Sequence, residues 1–177
     1  MARFVQGLVG QSLVSDSELE VLRCYLPTDG RMLEIGTYHG VTAAQIADSR
    51  PDAIITCVDP FSEGPKTVTG DKDKWLQNQR KNMKLFVGTA DSYAASDEKC
   101  KEFDLAFVDG AHDYANCLKD MISVAPMVKP LGIIAVHDYC RLANDTNIYR
   151  AVAEFGPKFG WVQIERVWTT TILRRKP

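Results

Sequence analysis

The stretch Met32-Leu33-Glu34-Ile35-Gly36-Thr37-Tyr38-His39-Gly40 constrains this chain more than any other. An apolar run reaches an acidic residue, passes through two glycines four apart, and opens into Val41-Thr42-Ala43-Ala44-Gln45-Ile46-Ala47. That pattern describes a buried strand, a tight turn and a helix, with helix-end amides available to a ligand.

The flanking chain continues in kind. Ser15-Asp16-Ser17-Glu18 fits a capping box, with Ser15 as N-cap and Glu18 three residues on. Leu19, Leu22 and Leu26 then recur at helical spacing until Pro27. Residues 1–14 have no clear period and read as an N-terminal arm or short helix. Beyond Gly40 the helix runs to about Ser49, and Ala53 to Val58 is a second buried strand ending in Asp59-Pro60-Phe61. The polar segment 62–73 carries Gly64, Pro65 and Gly70 and reads as a mobile loop. Trp75 to Met83 reads as a polar helix anchored by Trp75, Leu76 and Met83.

Lys84 to Val87 is a short third strand with Gly88 to Ser92 as its exit loop, and Phe103 to Val108 is a fourth, ending in Asp109-Gly110-Ala111-His112. Tyr114, Cys117, Leu118, Met121, Ile122 and Ala125 form one continuous helical apolar face. Pro130-Leu131-Gly132 turns into a fifth strand, Ile133 to Val136, which ends in His137-Asp138-Tyr139. The loop 139–147 leads to a helix carrying Ile148, Val152 and Phe155, closed by Gly156-Pro157. Trp161 to Glu165 and Thr169 to Leu173 read as two strands joined by a turn without Gly or Asn.

Strands alternating with helices specify an α/β fold, a doubly wound and mostly parallel sheet with helices on both faces. The consecutive strands at the C-terminus add an antiparallel strand at one edge. A chain of 177 residues makes one domain, 1–177, and the net charge of -2 implies no general affinity for nucleic acid. Five scattered cysteines without a C-x-x-C pair fit reduced thiols. No apolar run approaches the roughly 18 residues of a membrane span, and residues 1–10 lack the apolar segment of a secretory signal. The expectation is a soluble, cytoplasmic protein with no membrane partner.

In an open α/β sheet, ligands bind outside the carboxyl ends of the strands, where strand order reverses. The strands deliver Glu34, Gly36, Tyr38, His39 and Gly40, then Asp59, then Asp91 and Ser92, then Asp109 and His112, then His137 and Asp138. All three histidines of the chain fall just after a strand end. A dinucleotide fingerprint, G-x-G-x-x-G, needs its second glycine where this chain has Tyr38, whose side chain would obstruct a pyrophosphate. Glu34-x-Gly36-x-x-x-Gly40 instead suits a nucleoside with a small zwitterionic tail, and Asp59 is placed to accept from both ribose hydroxyls. An NAD-dependent oxidoreductase and a non-catalytic nucleoside-binding domain are the rival readings. Each residue also has a bland role: the glycines permit close packing, Asp59 forms a turn, and Asp91 caps a helix. On the same footing, His112-Asp113 starts a helix, and His137-Asp138 is a structural pair.

The segments LEIGTYHG, VDPF, GTADS, FVDGAHDY and LGIIAVHDY, with the following IYRAVAEF helix, span roughly residues 30–155. In them the chain resembles the class I S-adenosylmethionine-dependent methyltransferases. The match is nearest to the small-molecule group that includes metal-dependent sugar O-methyltransferases. The resemblance implies a Rossmann-like seven-stranded sheet with its seventh strand antiparallel, S-adenosylmethionine as cofactor, and a small-molecule acceptor methylated at a hydroxyl. It implies that Glu34, Gly36, Thr37, Tyr38 and Gly40 hold the cofactor's amino-acid end and that Asp59 takes the ribose. Ala90, Asp91 and Ser92 would meet the adenine, and Asp109 would lie under the sulfonium.

His112 matches a general-base position, which an unperturbed pKa near 6.5 suits. Asp109 and Asp138 match positions that carry a divalent cation, Mg or Mn, in metal-dependent members. His137 stands where those relatives have a second acid. A neutral, softer imidazole there turns the expectation from Mg toward Mn, a zinc-like metal, or none. The arm and the two loops are candidate lids, and a neighbouring subunit of a homo-oligomer is another source of one.

Overall fold

The computed structural model describes residues 3–61, 70–98, 102–139 and 147–177. The chain opens with a two-stranded antiparallel ribbon, β1 (Arg3–Phe4) and β2 (Gln11–Ser12), where the sequence suggested an arm or helix. Gly7 and Gly10 adopt φ of +78° and +103° within the connection, a conformation that turns the chain back and that glycine takes without strain. Asn78 ties the ribbon down: its Oδ1 accepts from Val9 N, and its Nδ2 donates to the carbonyls of Val9 and His39, each at 2.7 Å.

Next come α1 (Asp16–Tyr25), β3 (Arg31–Ile35), α2 (Val41–Ser49), β4 (Ile54–Asp59), α3 (Lys72–Asn78), β5 (Met83–Val87) and α4 (Ala90–Ala95). The chain continues through β6 (Phe103–Val108), α5 (Tyr114–Val124), a single 3-10 turn, β7 (Val128–Val136), α6 (Asn147–Phe159), β8 (Trp161–Val167) and β9 (Thr170–Arg175). The main sheet has seven strands in the order β5-β4-β3-β6-β7-β9-β8. Pairing is parallel from β5 through β7, and β9 runs antiparallel to both of its neighbours. Strand order reverses between β3 and β6, which sets the crevice where a ligand binds in such folds.

The alternation along β3 and β6 divides the core. Leu33, Ile35, Ala106 and Val108 face α4, α5 and α6, whereas Met32, Leu105 and Phe107 share a cluster with α1, α2 and α3. Both sheet faces are therefore apolar, as a parallel sheet demands. The Ser15–Glu18 capping box forms as the spacing predicts.

Some boundaries differ. The helix expected at Trp75–Met83 spans Lys72–Asn78, because Asp71 caps it through the amides of Asp73 and Lys74 and Met83 joins the sheet. Trp75 is fully buried, but Leu76 is 50% exposed and anchors nothing. Strand β7 begins at Val128 rather than Ile133, since Pro130-Leu131-Gly132 forms an irregularity in its pairing with β6 instead of a turn before it. Proline has no N–H to give the ladder, so it sits where pairing is interrupted. The two C-terminal strands are joined at Trp168 and Thr169, and Trp168 supplies φ of +52° where the sequence offers no glycine. Most of the proposed loops, residues 62–69 and 140–146, lies outside the described residues.

Candidate active site

The exit of β3 is built on close approach. Gly36 has φ of +84°, and a Cβ there would lie 2.3 Å from the Asp109 carbonyl oxygen and 2.4 Å from Gly110 Cα. Glycine thus lets the β3 and β6 exits meet at the switch point. Gly40 caps α2 with φ of +73°, and its missing side chain leaves room for Trp75, whose Nε1 donates to Thr37 Oγ1 at 3.2 Å. Glu34 is buried, and its Oε2 has no hydrogen-bond partner. Burial pushes its pKa up to about 8, so it is neutral at pH 7.

Tyr38, at φ of +54°, stacks on His39 with ring centroids 3.7 Å apart. His39 is buried beneath the ribbon, where a Cβ on Gly10 would lie 2.5 Å from its Nδ1, and neither ring nitrogen has a partner. It lies apart from the pairing of the other two histidines with Asp109 and Asp138, although all three follow a strand end. The cleft lined by Gln11, Glu34, Gly36, Tyr38, Thr42 and Asp109 holds about 20 Å³, room for a single water. The larger cavity, about 360 Å³, opens beside Arg31, Thr56 and Lys84 in the amino-terminal half of the strands, away from this edge.

Asp59 ends β4 and locks two loops together. Its Oδ2 accepts from Tyr38 N at 2.9 Å and its Oδ1 from Phe61 N at 2.8 Å, with Phe61 at φ of +44°. Each carboxylate oxygen can accept two hydrogen bonds, so capacity for a hydroxyl remains. Ala90, Asp91 and Ser92 form the first turn of α4, but Thr89 rather than Asp91 is the cap. Asp91 pairs with Lys119 Nζ at 2.9 Å and accepts from Thr89 Oγ1 at 2.7 Å.

The exits of β6 and β7 bring four groups together. His137 Nδ1 lies 2.9 Å from Asp109 Oδ1, and His112 Nε2 lies 2.9 Å from Asp138 Oδ2 and 4.0 Å from Asp109 Oδ1. Asp138 adopts φ of +56°. Tyr38, Phe61 and Asp138 thus hold the left-handed conformation at three strand exits, a strain that concentrates at working sites. The Asp109 and Asp138 carboxylates raise the His112 pKa to about 9. Burial alone would lower the His137 pKa, but Asp109, Glu18 and Asp138 raise it to about 11. Burial would raise the Asp109 carboxyl, and the two imidazoles hold it below its usual range.

Glu18 is the member that sequence reasoning missed. Its Oε2 accepts from Ser15 N and Oγ at 2.9 and 2.7 Å, which is the capping box. Its Oε1 accepts from Thr169 N at 3.0 Å, Thr169 Oγ1 at 2.7 Å and Thr170 Oγ1 at 3.0 Å. Thr169 Oγ1 in turn lies 3.3 Å from His137 Nε2, and Glu18 Oε1 lies 3.7 Å from it. Burial works against the Glu18 charge, yet His137, Ser15 and Thr169 hold its pKa well below the usual range. Asp109, His137 and Asp138 each bring one potential ligand atom within 4.8 Å of the others.

A family model described as a methyltransferase domain matches residues 33–139, more than half of the chain. No curated protein sequence matches. Among solved structures, the O-methyltransferase NovP superposes with a TM-score of 0.72 at 15% identity, covering 94% of this chain and 82% of NovP. Fibrillarin in complex with Nop5p gives 0.67 at 19% identity, covering 91% of this chain and 81% of that one. MycE from the mycinamycin biosynthetic pathway, in complex with Mg, SAH and mycinamycin VI, gives 0.63 at 13% identity, covering 89% of this chain and 47% of MycE. These likenesses show a shared fold. The matched span runs from the β3 turn to the β7 exit and contains most of the strand-end residues described above. The chain belongs to the class I S-adenosylmethionine-dependent methyltransferases.

Proposed function

We propose that this domain methylates a hydroxyl oxygen of a small molecule, with His112 as the base. The observation that carries this reading is the pairing of His112 with Asp138 and Asp109 at the mouth of the crevice. S-adenosylmethionine, when bound, supplies a methyl carbon whose bond to sulfur breaks, leaving the electron pair on sulfur. In line with that bond an acceptor oxygen forms the new C–O bond and releases its proton. His112 takes this proton on Nδ1 while Nε2 stays hydrogen-bonded to Asp138, and the two aspartates stabilise the resulting imidazolium. Because its pKa is raised to about 9, the base-competent fraction grows with pH.

The orphaned Oε2 of Glu34 supports a cationic ligand at the β3 turn, since an arriving ammonium would meet a carboxyl able to ionise. In this reading Gly36, Thr37, Tyr38 and Gly40 shape that turn, Asp59 accepts from the ribose hydroxyls, Ala90, Asp91 and Ser92 border the adenine, and Asp109 underlies the reacting sulfur. The cleft, at about 20 Å³, must widen to admit the cofactor.

The complex of MycE with mycinamycin VI supports a small-molecule acceptor. The net charge of -2 argues against an RNA acceptor of the kind fibrillarin's association with pre-rRNA processing brings to mind. Among the described residues no helix is long and apolar enough to cross a membrane. A second copy of the chain would supply an acceptor lid; light scattering after gel filtration tests that. Isothermal titration with S-adenosylmethionine and with its demethylated product tests the cofactor. A panel of hydroxylated acceptors assayed with and without the His112→Ala change tests the chemistry. Absence of binding heat at high micromolar cofactor would defeat the reading.

A further inference from the structure

The cavity of about 360 Å³ lies at the opposite ends of β3, β4 and β5 from the candidate active site. A mismatch of lengths opens it. The six residues of α4 rise about 9 Å, whereas the six residues of β4 extend about 20 Å. The helix packs Ala90 and Tyr93 on the sheet but cannot cover the whole of β4 and β5. Register sets Thr56 beside Lys84 and Ile54 beside Arg31. Paired and alternate residues share a face, so these four lie on the face that Leu33 and Val58 bury further along.

A parallel strand covered on both faces is a near-continuous apolar run, and Arg31, Thr56 and Lys84 break that pattern together at the cavity. Thr56 is 7% exposed, and among the described residues its hydroxyl has no hydrogen-bond partner. Lys84 is exposed and pairs with no acidic side chain among the described residues. Phe86, Tyr93 and Phe103 add an aromatic wall, with Phe86 edge-on to Tyr93 at 5.1 Å between centroids and Tyr93 6.5 Å from Phe103. Glu98 is the one acidic residue among the described lining, against the two cations Arg31 and Lys84. A cavity of about 150 Å³ accommodates benzene, so this one admits a substituted or two-ring aromatic.

We propose that this cavity is a second ligand site, which takes a small planar aromatic carboxylate and whose occupancy tightens cofactor binding. The ring packs against Phe86, Tyr93 and Phe103, and the carboxylate accepts from the Lys84 ammonium and the Thr56 hydroxyl. Phe86 carries the effect to the other end of the strands. A Cβ on Gly88 would lie 2.6 Å from Phe86 Cε1 and 2.6 Å from Ser92 Oγ, so Phe86 packs against the turn that opens α4. A ligand that holds Phe86 and Tyr93 therefore steadies Ala90 to Ser92, and linkage raises the affinity for what those residues bind. This second step rests on reading that turn as the border of the adenine; the site itself does not.

The test titrates the full chain with 2-naphthoate and with neutral 2-naphthamide, following backbone amides by NMR in the absence of cofactor. Saturable shifts at Thr56, Lys84 and Tyr93 are expected, with a Kd below about 1 mM for the carboxylate and binding about tenfold weaker for the amide. Lys84→Gln, at an exposed position, and Thr56→Val, which keeps the side chain's shape, should each weaken 2-naphthoate several-fold. Shifts confined to the β3 turn, equal affinity for the two probes, or no saturation by about 10 mM would overturn the site. Isothermal titration with S-adenosylmethionine then reads the coupling. Affinity about threefold higher at saturating 2-naphthoate, and unchanged by the probe in Lys84→Gln, supports the route through Phe86. Unchanged or weaker affinity in the unaltered chain overturns that route. The spectra need no cofactor, so the site fails separately from the methyltransferase reading.

Discussion

His112 Nε2 lies 2.9 Å from Asp138 Oδ2, and that contact, with Asp109 at 4.0 Å, keeps this imidazole in its charged form at neutral pH. The ordinary histidine pKa near 6.5 therefore does not set the working pH. Methyl-transfer rate should rise with pH to a plateau above about 9. Asp138→Asn removes one of the two carboxylates and should move the acid limb down by about 1 unit. A pH–rate profile at saturating cofactor checks both. A limb that stays at 6.5 in the unaltered protein would remove His112 from the role of base. The sign for stability follows from the same pairing. The raised pKa contributes stability fully present below about 6.5, and this is lost as pH rises through about 9.

Glu34 gives a prediction of the opposite chemical kind. Its carboxyl keeps a proton to about pH 8 in the folded protein, while the unfolded chain releases it near 4.5. Stability should therefore fall as pH rises between those values. Glu34→Gln should raise the melting temperature at pH 8 by on the order of 10 °C and leave it unchanged at pH 4. Cofactor binding near pH 7 should release a proton from Glu34 as the ammonium arrives. Calorimetry in two buffers of different ionisation enthalpy measures that release, and Glu34→Gln should abolish it. Equal heats in both buffers for the unaltered protein would show that Glu34 does not meet the cofactor's charge.

Gly36→Ala tests the switch point. The new methyl would lie 2.3 Å from the Asp109 carbonyl oxygen at φ of +84°, and backbone atoms cannot step aside as a flexible side chain can. A loss of more than about 3 kcal/mol of stability is expected, with cofactor affinity falling alongside it. Gly7→Ala is the control, since φ is +78° there but nothing lies within 4 Å of the new methyl. It should cost only about 1 kcal/mol, the left-handed penalty alone. Denaturant unfolding of the two variants separates close approach from backbone strain.

What the sequence made legible was what is local. The β3 turn, the acidic strand ends and the Ser15–Glu18 box all lie within a few residues of the signals that predict them, and strand-helix alternation carries the fold. The share of Glu18 in the site depends on a contact across 151 residues, created when β9 inserts beside β7, and no spacing near Glu18 encodes it. His39 shares its position after a strand with His112 and His137, yet the N-terminal ribbon covers it and takes it out of their cluster. Tyr38, Phe61 and Asp138 hold left-handed conformations that side-chain identity does not announce. The NAD reading, already opposed by Tyr38, gives way to the family match over residues 33–139.

Asn78 offers a way to ask whether the ribbon gates the crevice or merely supports it. Three hydrogen bonds of 2.7 Å join its amide to Val9 and His39, and the ribbon residue Gln11 lines a cleft of only about 20 Å³. Asn78→Ala loses all three and should cost about 2–3 kcal/mol, some of it from the orphaned carbonyls. Hydrogen exchange should then quicken at Val9 to Ser12 while β3 and β6 keep their protection. If the ribbon must lift for the cofactor to enter, the association rate rises in this variant although the melting temperature falls. If both fall together, the ribbon serves as a wall of the site. Stopped-flow binding beside thermal unfolding separates the two, because only a gate speeds entry when its latch is weakened.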